Sequence, residues 1–331
     1  MRDQSLAVDP RPPGVSGRRK RLVVGLVNNM SDGALRATEA QFCSLVRAAA
    51  PNNFDVVFRF FSLAEVRRSE ETRAYMYGRY GSLKELEREG VDALVVTGAE
   101  PRCANFEDEP YWPGLARLID WAEAEPIPTV WSCLAAHAAV WRRHGIPRRR
   151  GEVKLSGVFA LQKAASHALI EGAPDMLFAP HSRWNDLDEA RLEAAGLEIL
   201  TRLDDVGVDT FARTEGVTSV FFQGHPEYHA GVLGREYVRD VSRHVRGQQS
   251  FCPAPPTNYF DDLTLLTLAD LTMRLETSRH PELLAELAQI VELHTPVARW
   301  RSWAAHVYQA WLHQFSDRAS DVPSIGRAVA G

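Results

Sequence analysis

Ile127-Pro128-Thr129-Val130-Trp131-Ser132-Cys133-Leu134-Ala135-Ala136-His137 changes period within a few residues. Residues 127–132 form a short apolar run with β-branched members, the composition of a buried strand. Residues 134–144 are rich in Ala, with a paired Arg near the end, which favours a helix. Cys133 stands at the turn between them. A strand that passes directly into a helix is the unit of an α/β sheet, and the chain repeats it on both sides.

Upstream, residues 21–27 (Arg21-Leu22-Val23-Val24-Gly25-Leu26-Val27) read as a buried parallel strand. A helix is expected over about 35–49, closed by Pro51-Asn52-Asn53, and a strand over 54–61. Residues 84–89 read as a helix stopped by Gly90, 91–98 as a strand and 113–125 as a helix. Downstream, strands are expected near 197–201 and 217–223, then a helix over about 230–246. The fold class that follows is a doubly wound, mostly parallel, flavodoxin-like sheet. Ligands of such sheets bind at the carboxyl ends of the strands, and Gly98, Cys133 and Gly224 all fall at such ends, on one rim.

The flanks differ in character. Residues 1–20, rich in Pro, Gly and Arg, read as a disordered leader, and residues 21–249 as the α/β catalytic domain. Residues 250–331 read as a helical extension packed on that domain or on a dimer partner, with helices over about 262–277, 281–293 and 296–315. Trp300, Trp303, Val307 and Trp311 lie on one face of the last. With 331 residues, 45% hydrophobic and 24% charged, the chain has ordinary globular usage. A net charge of −5 without a basic stripe argues against nucleic acid as a partner. The runs Arg18-Arg19-Lys20 and Arg148-Arg149-Arg150 read as solvated loop charges, the second also able to attract a phosphorylated cofactor. There is neither a secretory signal nor a span for a membrane, and Cys43, Cys103, Cys133 and Cys252 form no disulfide framework or metal spacing. The expectation is a cytoplasmic protein with reduced thiols and no metal.

Cys133 is the candidate nucleophile. A strand-to-helix turn exposes a side chain, and the helix N-terminus offers N–H groups to a thiolate or an oxyanion. Position alone leaves open a second reading, a small buried apolar residue. Two histidines compete as its base. His137 lies one helical turn on and is expected to point away from the rim. His225, in Gly224-His225-Pro226-Glu227, follows an apolar strand, with Glu227 placed to hold the imidazole tautomer. Cys43 reads as core, and Cys103 and Cys252 have no base in their surroundings.

At this point the chain resembles the homoserine O-succinyltransferase family, which shares the class I glutamine amidotransferase-like fold. The resemblance runs in order through Leu26-Val27-Asn28-Asn29-Met30, Val96-Thr97-Gly98-Ala99, Glu109-Pro110-Tyr111-Trp112-Pro113 and Lys154-Leu155-Ser156-Gly157-Val158. It continues through Ala179-Pro180-His181-Ser182-Arg183, Gly224-His225-Pro226-Glu227-Tyr228, Tyr237-Val238-Arg239-Asp240-Val241, Asn258-Tyr259-Phe260 and Trp300-Arg301-Ser302. It implies an acylated Cys133, with His225 as base and Glu227 as orienting acid. It also implies Lys154 near the acyl group, Ser182 in the substrate site, Arg239 on the acceptor carboxylate, and Gly98 and Leu134 as oxyanion donors.

The implied activity is acyl transfer through an acyl-cysteine, from succinyl-CoA or acetyl-CoA to the hydroxyl of homoserine, in methionine biosynthesis. No cofactor is bound permanently, and a homodimer is implied. Three departures bear on substrate choice. Arg102 stands where the family has Gly or Glu at its donor-selecting position, His137 replaces a common glutamine, and about residues 261–297 replace a shorter connection. Two other acceptor or reaction classes stay open: serine or another hydroxy amino acid, and a glutamine amidotransferase-like hydrolysis. The latter's usual Gly-x-Cys-x-Gly elbow reads Trp131-Ser132-Cys133-Leu134-Ala135 here. A non-catalytic protein on the same scaffold is a third alternative, against which the Cys133, His225 and Glu227 set speaks.

Overall fold

The computed structural model describes residues 20–204, 206–278, 280–315 and 320–321. The chain runs β1 (Lys20–Val27), α1 (Asp32–Ala49), β2 (Phe54–Phe61), α2 (Glu70–Met76), β3 (Tyr80–Gly81), α3 (Leu83–Glu89) and β4 (Ala93–Thr97). It continues α4 (Trp112–Ala124), β5 (Thr129–Ser132), α5 (Leu134–His144), β6 (Arg149–Lys163), β7 (Leu177–Asp186), α6 (Glu189–Ala194) and β8 (Glu198–Leu203). It ends β9 (Gly207–Arg213), β10 (Ser219–Phe222), α7 (Val232–Val245), α8 (Asp262–Ser278), α9 (Pro281–Leu293), α10 (Arg301–His313) and β11 (Ser320–Asp321). The leader expected over 1–20 lies outside the described residues, apart from Lys20, which begins β1.

Among the described residues one mixed sheet of eleven strands has the order β3-β2-β1-β4-β5-β10-β9-β8-β6-β7, with β11 antiparallel to the start of β1. The half from β3 to β10 is parallel, with β2-β1-β4-β5-β10 in the doubly wound order. The half from β10 to β7 is antiparallel. That second half is where the sequence says least. β6 opens with charged, exposed residues and contains Gly157, while β7 carries Pro180 at its centre. A proline is tolerated in an edge strand, and β7 ends the sheet order. The Pro180 carbonyl is put to use, as it accepts the backbone N–H of His225.

Helices cover both faces. On one, Phe42, Leu45 and Val46 of α1 pack with Trp303, Val307 and Trp311 of α10 over Leu22, Val24 and Leu26. On the other, α3, α4 and α5 cover Val27, Leu94, Val96 and Trp131. A third cluster joins Leu233, Tyr237 and Val241 of α7 to Leu268, Leu271 and Leu275 of α8, Leu287 and Val291 of α9, and Trp300. The aromatic stripe of α10 is therefore spent within the chain. Trp300, Trp303 and Trp311 are each 1% exposed, which leaves none of them for an interface between subunits. Among the described residues no helix is long and apolar enough to cross a membrane.

Candidate active site

Three strands bring the candidate residues side by side. Thr97 pairs with Ser132, and Ser132 with Phe222, so the residues that follow, Gly98, Cys133 and Gln223, leave the sheet together. Cys133 has φ 51° and ψ −117°, a left-handed backbone on a non-glycine residue, and it is the N-cap of α5. Such strain of about 1–3 kcal/mol persists only where the surroundings enforce it. Here the Cys133 N–H donates to the Phe222 carbonyl at 2.7 Å, and the Cys133 carbonyl accepts from Ala136 at 2.9 Å.

Gly98 presses against the other side of that turn. A Cβ added there would lie 2.7 Å from Leu134 Cβ and 3.1 Å from Leu134 N, so only glycine lets β4's end approach the first N–H of α5. This N–H belongs to the set that a helix leaves without an internal partner.

His225 Nδ1 lies 2.8 Å from Glu227 Oε1, and both residues are buried. Four contacts fix the segment. The His225 N–H donates to Pro180 O at 2.8 Å. Gly224 packs onto a second buried pair, His181 with Asp209, which any Cβ would strike at 2.9 Å or less. Tyr228 stacks on the imidazole with ring centroids 4.2 Å apart. Trp300 Nε1, from the C-terminal extension, donates to Tyr228 O at 2.8 Å. Burial alone would lower the His225 pKa. The adjacent Cys133 and Glu227, through charge and hydrogen bonds, outweigh it and hold the pKa well above the ordinary imidazole value.

His137 is placed quite differently. It is 1% exposed, with Nδ1 lacking a hydrogen-bond partner, and burial together with Arg183 and Arg148 drives its pKa down to about 3. It is a buried neutral ring. Cys43 is likewise core, its thiol pushed up to about 12 by burial.

Three of the remaining candidates, Lys154, Ser182 and Arg239, gather around α7. Lys154 Nζ lies 2.9 Å from Asp240 Oδ2 and 3.9 Å from Glu236 Oε2. Arg239 Nε donates to Asp240 Oδ1 at 2.8 Å. Ser182 Oγ donates a short hydrogen bond to Glu236, and Tyr228 Oη donates to the other Glu236 oxygen at 3.1 Å. Burial opposes the charge on Asp240, but Arg239 and Lys154 hold its carboxyl below the usual range. Glu236 is the centre of this cluster and was absent from the sequence reading. Its one signal was position: it precedes Arg239 by three residues on the same helix, hence on the same face.

Arg102 lies exposed on the loop after Gly98, and among the described residues no carboxylate pairs with its guanidinium. The loop itself is rigidly held. Buried Glu109 accepts the N–H groups of Arg102 and Cys103 at 2.6 and 2.8 Å. Arg148 donates to the carbonyls of Cys103 and Ala104 at 2.8 and 2.9 Å and sits 4.3 Å over Phe106. This corrects the expectation of a solvated charge at Arg148, whose pKa is lowered by burial. The four cysteines are unpaired. Among the described residues one group, His244, Cys252 and Glu276, has ligand atoms within 4.8 Å of one another. It joins the end of α7 to α8 and takes no part in the cluster around Glu236.

A family model described as homoserine O-succinyltransferase matches residues 14–320. A homoserine O-succinyltransferase of Methylorubrum extorquens is 43% identical over 302 residues, covering 91% of this chain and 89% of that relative. One from Rhodopseudomonas palustris is also 43% identical over 302 residues, with 91% and 90% covered. One from Bradyrhizobium japonicum is 41% identical over 305 residues, with 89% and 94% covered. Among solved structures, a glutamine amidotransferase from Methylobacillus flagellatus is similar at TM-score 0.48 and 15% identity, with 89% of this chain and 95% of that one covered. The chain belongs to the homoserine O-succinyltransferase family of acyltransferases.

Proposed function

We propose that this protein transfers an acyl group, succinyl in preference to acetyl, from coenzyme A to the γ-hydroxyl of homoserine, in methionine biosynthesis. The observation that carries the reading is the left-handed Cys133 turn facing a buried His225–Glu227 pair, in a chain of this family.

With Nδ1 engaged by Glu227, His225 offers Nε2 to Cys133. With its proton already passed to His225, the Cys133 sulfur attacks the thioester carbonyl, and the carbonyl electron pair moves onto oxygen. That oxyanion meets the Leu134 N–H and the backbone beside Gly98. Collapse expels the coenzyme A thiolate, which recovers the proton from His225, and leaves an acyl thioester on Cys133. The acceptor hydroxyl then attacks this thioester while His225 takes its proton. Collapse releases the O-acyl product and the Cys133 sulfur, which regains the proton. Glu227 compensates the imidazolium in both halves.

The polar cluster suits a zwitterionic amino acid. Arg239 is assigned to its carboxylate, a charge-assisted contact of about 1.5–3 kcal/mol. Glu236 is assigned to its ammonium group, with Lys154 and Ser182 between that cluster and the acyl group. Arg102, with no carboxylate partner among the described residues, is assigned to the succinyl carboxylate. The four unpaired cysteines fit a reducing, cytoplasmic compartment. The test is a matrix of succinyl-CoA and acetyl-CoA against homoserine and serine, read as free coenzyme A. Release should be fastest with succinyl-CoA and homoserine. Release that does not depend on any acceptor would make the protein a thioesterase and overturn the reading.

A further inference from the structure

The three arginines of the run 148–150 meet three different fates. Arg148 turns inward onto the Cys103 and Ala104 carbonyls. Arg149 pairs with Asp188 at 2.5 Å. Arg150 lies 4.7 Å over the ring of Trp184, and among the described residues no carboxylate pairs with it. Trp184 in turn meets Phe251 edge-on, with centroids 6.0 Å apart, and Phe251 is 50% exposed. A cation with no carboxylate partner among the described residues and two aromatic rings, one of them half in water, therefore share one patch at the rim.

This patch is continuous with the candidate active site in two ways. Trp184 follows Ser182 by two residues on β7, which places both side chains on one face, about 7 Å apart along the strand. Ser182 binds Glu236 at the centre of the polar cluster. Opposite them, the β6–β7 register shifts between Arg150 and Leu155. Such bulges re-aim side chains beside functional sites. This one sends Lys154 into the Glu236–Asp240 cluster and leaves Arg150 outside, over Trp184. The acyl-transfer steps use Lys154's side of the bulge and leave Arg150, Trp184 and Phe251 without a task.

The geometry points to Arg150, Trp184 and Phe251 as the subsite for the adenosine 3′-phosphate end of a coenzyme A thioester donor. An exposed ring accepts a purine by stacking, and an uncompensated guanidinium accepts a phosphate. The pantetheine arm then runs back along β7, past Ser182, toward Cys133. The inference rests on the reading of Cys133 as an acyl-transfer nucleophile and adds where the rest of the donor lies.

The test compares two donors that carry the same acyl group, succinyl-CoA and the succinyl thioester of N-acetylcysteamine, which lacks the nucleotide. In Arg150→Ala and in Trp184→Ala, KM for succinyl-CoA should rise about ten-fold with kcat little changed, a size typical of one lost stacking or phosphate contact. kcat/KM for the short thioester should stay at the wild-type level, and Arg150→Lys should restore part of the loss. Adenosine 3′,5′-bisphosphate should compete with succinyl-CoA in the wild type and bind more weakly to Arg150→Ala. Arg150 is exposed, so its variants do not depend on β7 tolerating the loss of Trp184. Equal losses with both donors, or an unchanged KM for succinyl-CoA, would overturn the assignment. A wild-type protein inert towards both donors would contradict the parent reading of Cys133 instead.

Discussion

Replacing His137 by Gln separates the two histidines near Cys133 and does so through stability. In the folded chain His137 takes up a proton only near pH 3, because burial, Arg183 and Arg148 all oppose the charged ring. An unfolded chain takes it up near pH 6.5. Between these values the unfolded state binds more protons, so stability falls as the pH is lowered. The slope approaches about 1.4 kcal/mol per pH unit, and at pH 5 the accumulated cost from this one residue is about 2 kcal/mol. His137→Gln removes the titrating ring and with it that cost. Urea unfolding at pH 7.5 and pH 5 should therefore show a stability drop about 2 kcal/mol smaller in the variant than in the wild type. The comparison across pH cancels whatever the substitution does to packing at both values. Identical pH dependence in the two proteins would refute the buried neutral ring, and a loss of acyl transfer as deep as in His225→Gln would make His137 the base.

Three further outcomes are expected. Gly98→Ala puts a methyl group 2.7 Å from Leu134 Cβ, so it should displace an oxyanion donor and lower kcat about a hundred-fold, with KM for homoserine little changed; steady-state kinetics check it. Glu227→Gln keeps the shape but removes the charge beside His225, and kcat should fall about a thousand-fold while circular dichroism stays native. Trp303→Ala empties the space between α10 and the sheet, where Trp303 is 1% exposed, and should cost about 3–5 kcal/mol in urea unfolding.

The parts of the fold legible in sequence are those whose apolar period is unbroken. The readings of residues 54–61, 134–144 and 281–293 coincide with β2, α5 and α9, since each is bounded by a turn or capping residue. The β6–β7 hairpin was not legible, because its charges, Gly157 and Pro180 each argue against a strand and only pairing at the sheet's edge tolerates them. Cys133 and His225 were legible as candidates because each follows the carboxyl end of a strand, where an α/β sheet gathers its chemistry, and Glu227 because it stands two residues from His225. Glu236 could not, because its meaning depends on Ser182 and Lys154, which reach it from β7 and β6. The α10 stripe showed that aromatics are buried but not against what. The answer joins stability to the site, since Trp300 both fills the third cluster and holds the carbonyl next to Glu227.

The most direct test of the central claim is intact-protein mass spectrometry after incubation with succinyl-CoA alone. An added succinyl group is expected on the wild type, mapped to Cys133 by peptide analysis. Homoserine should remove the adduct, and Cys133→Ala should never form it. An unmodified wild-type protein that still makes O-succinylhomoserine, or an adduct that persists in Cys133→Ala, would contradict that claim.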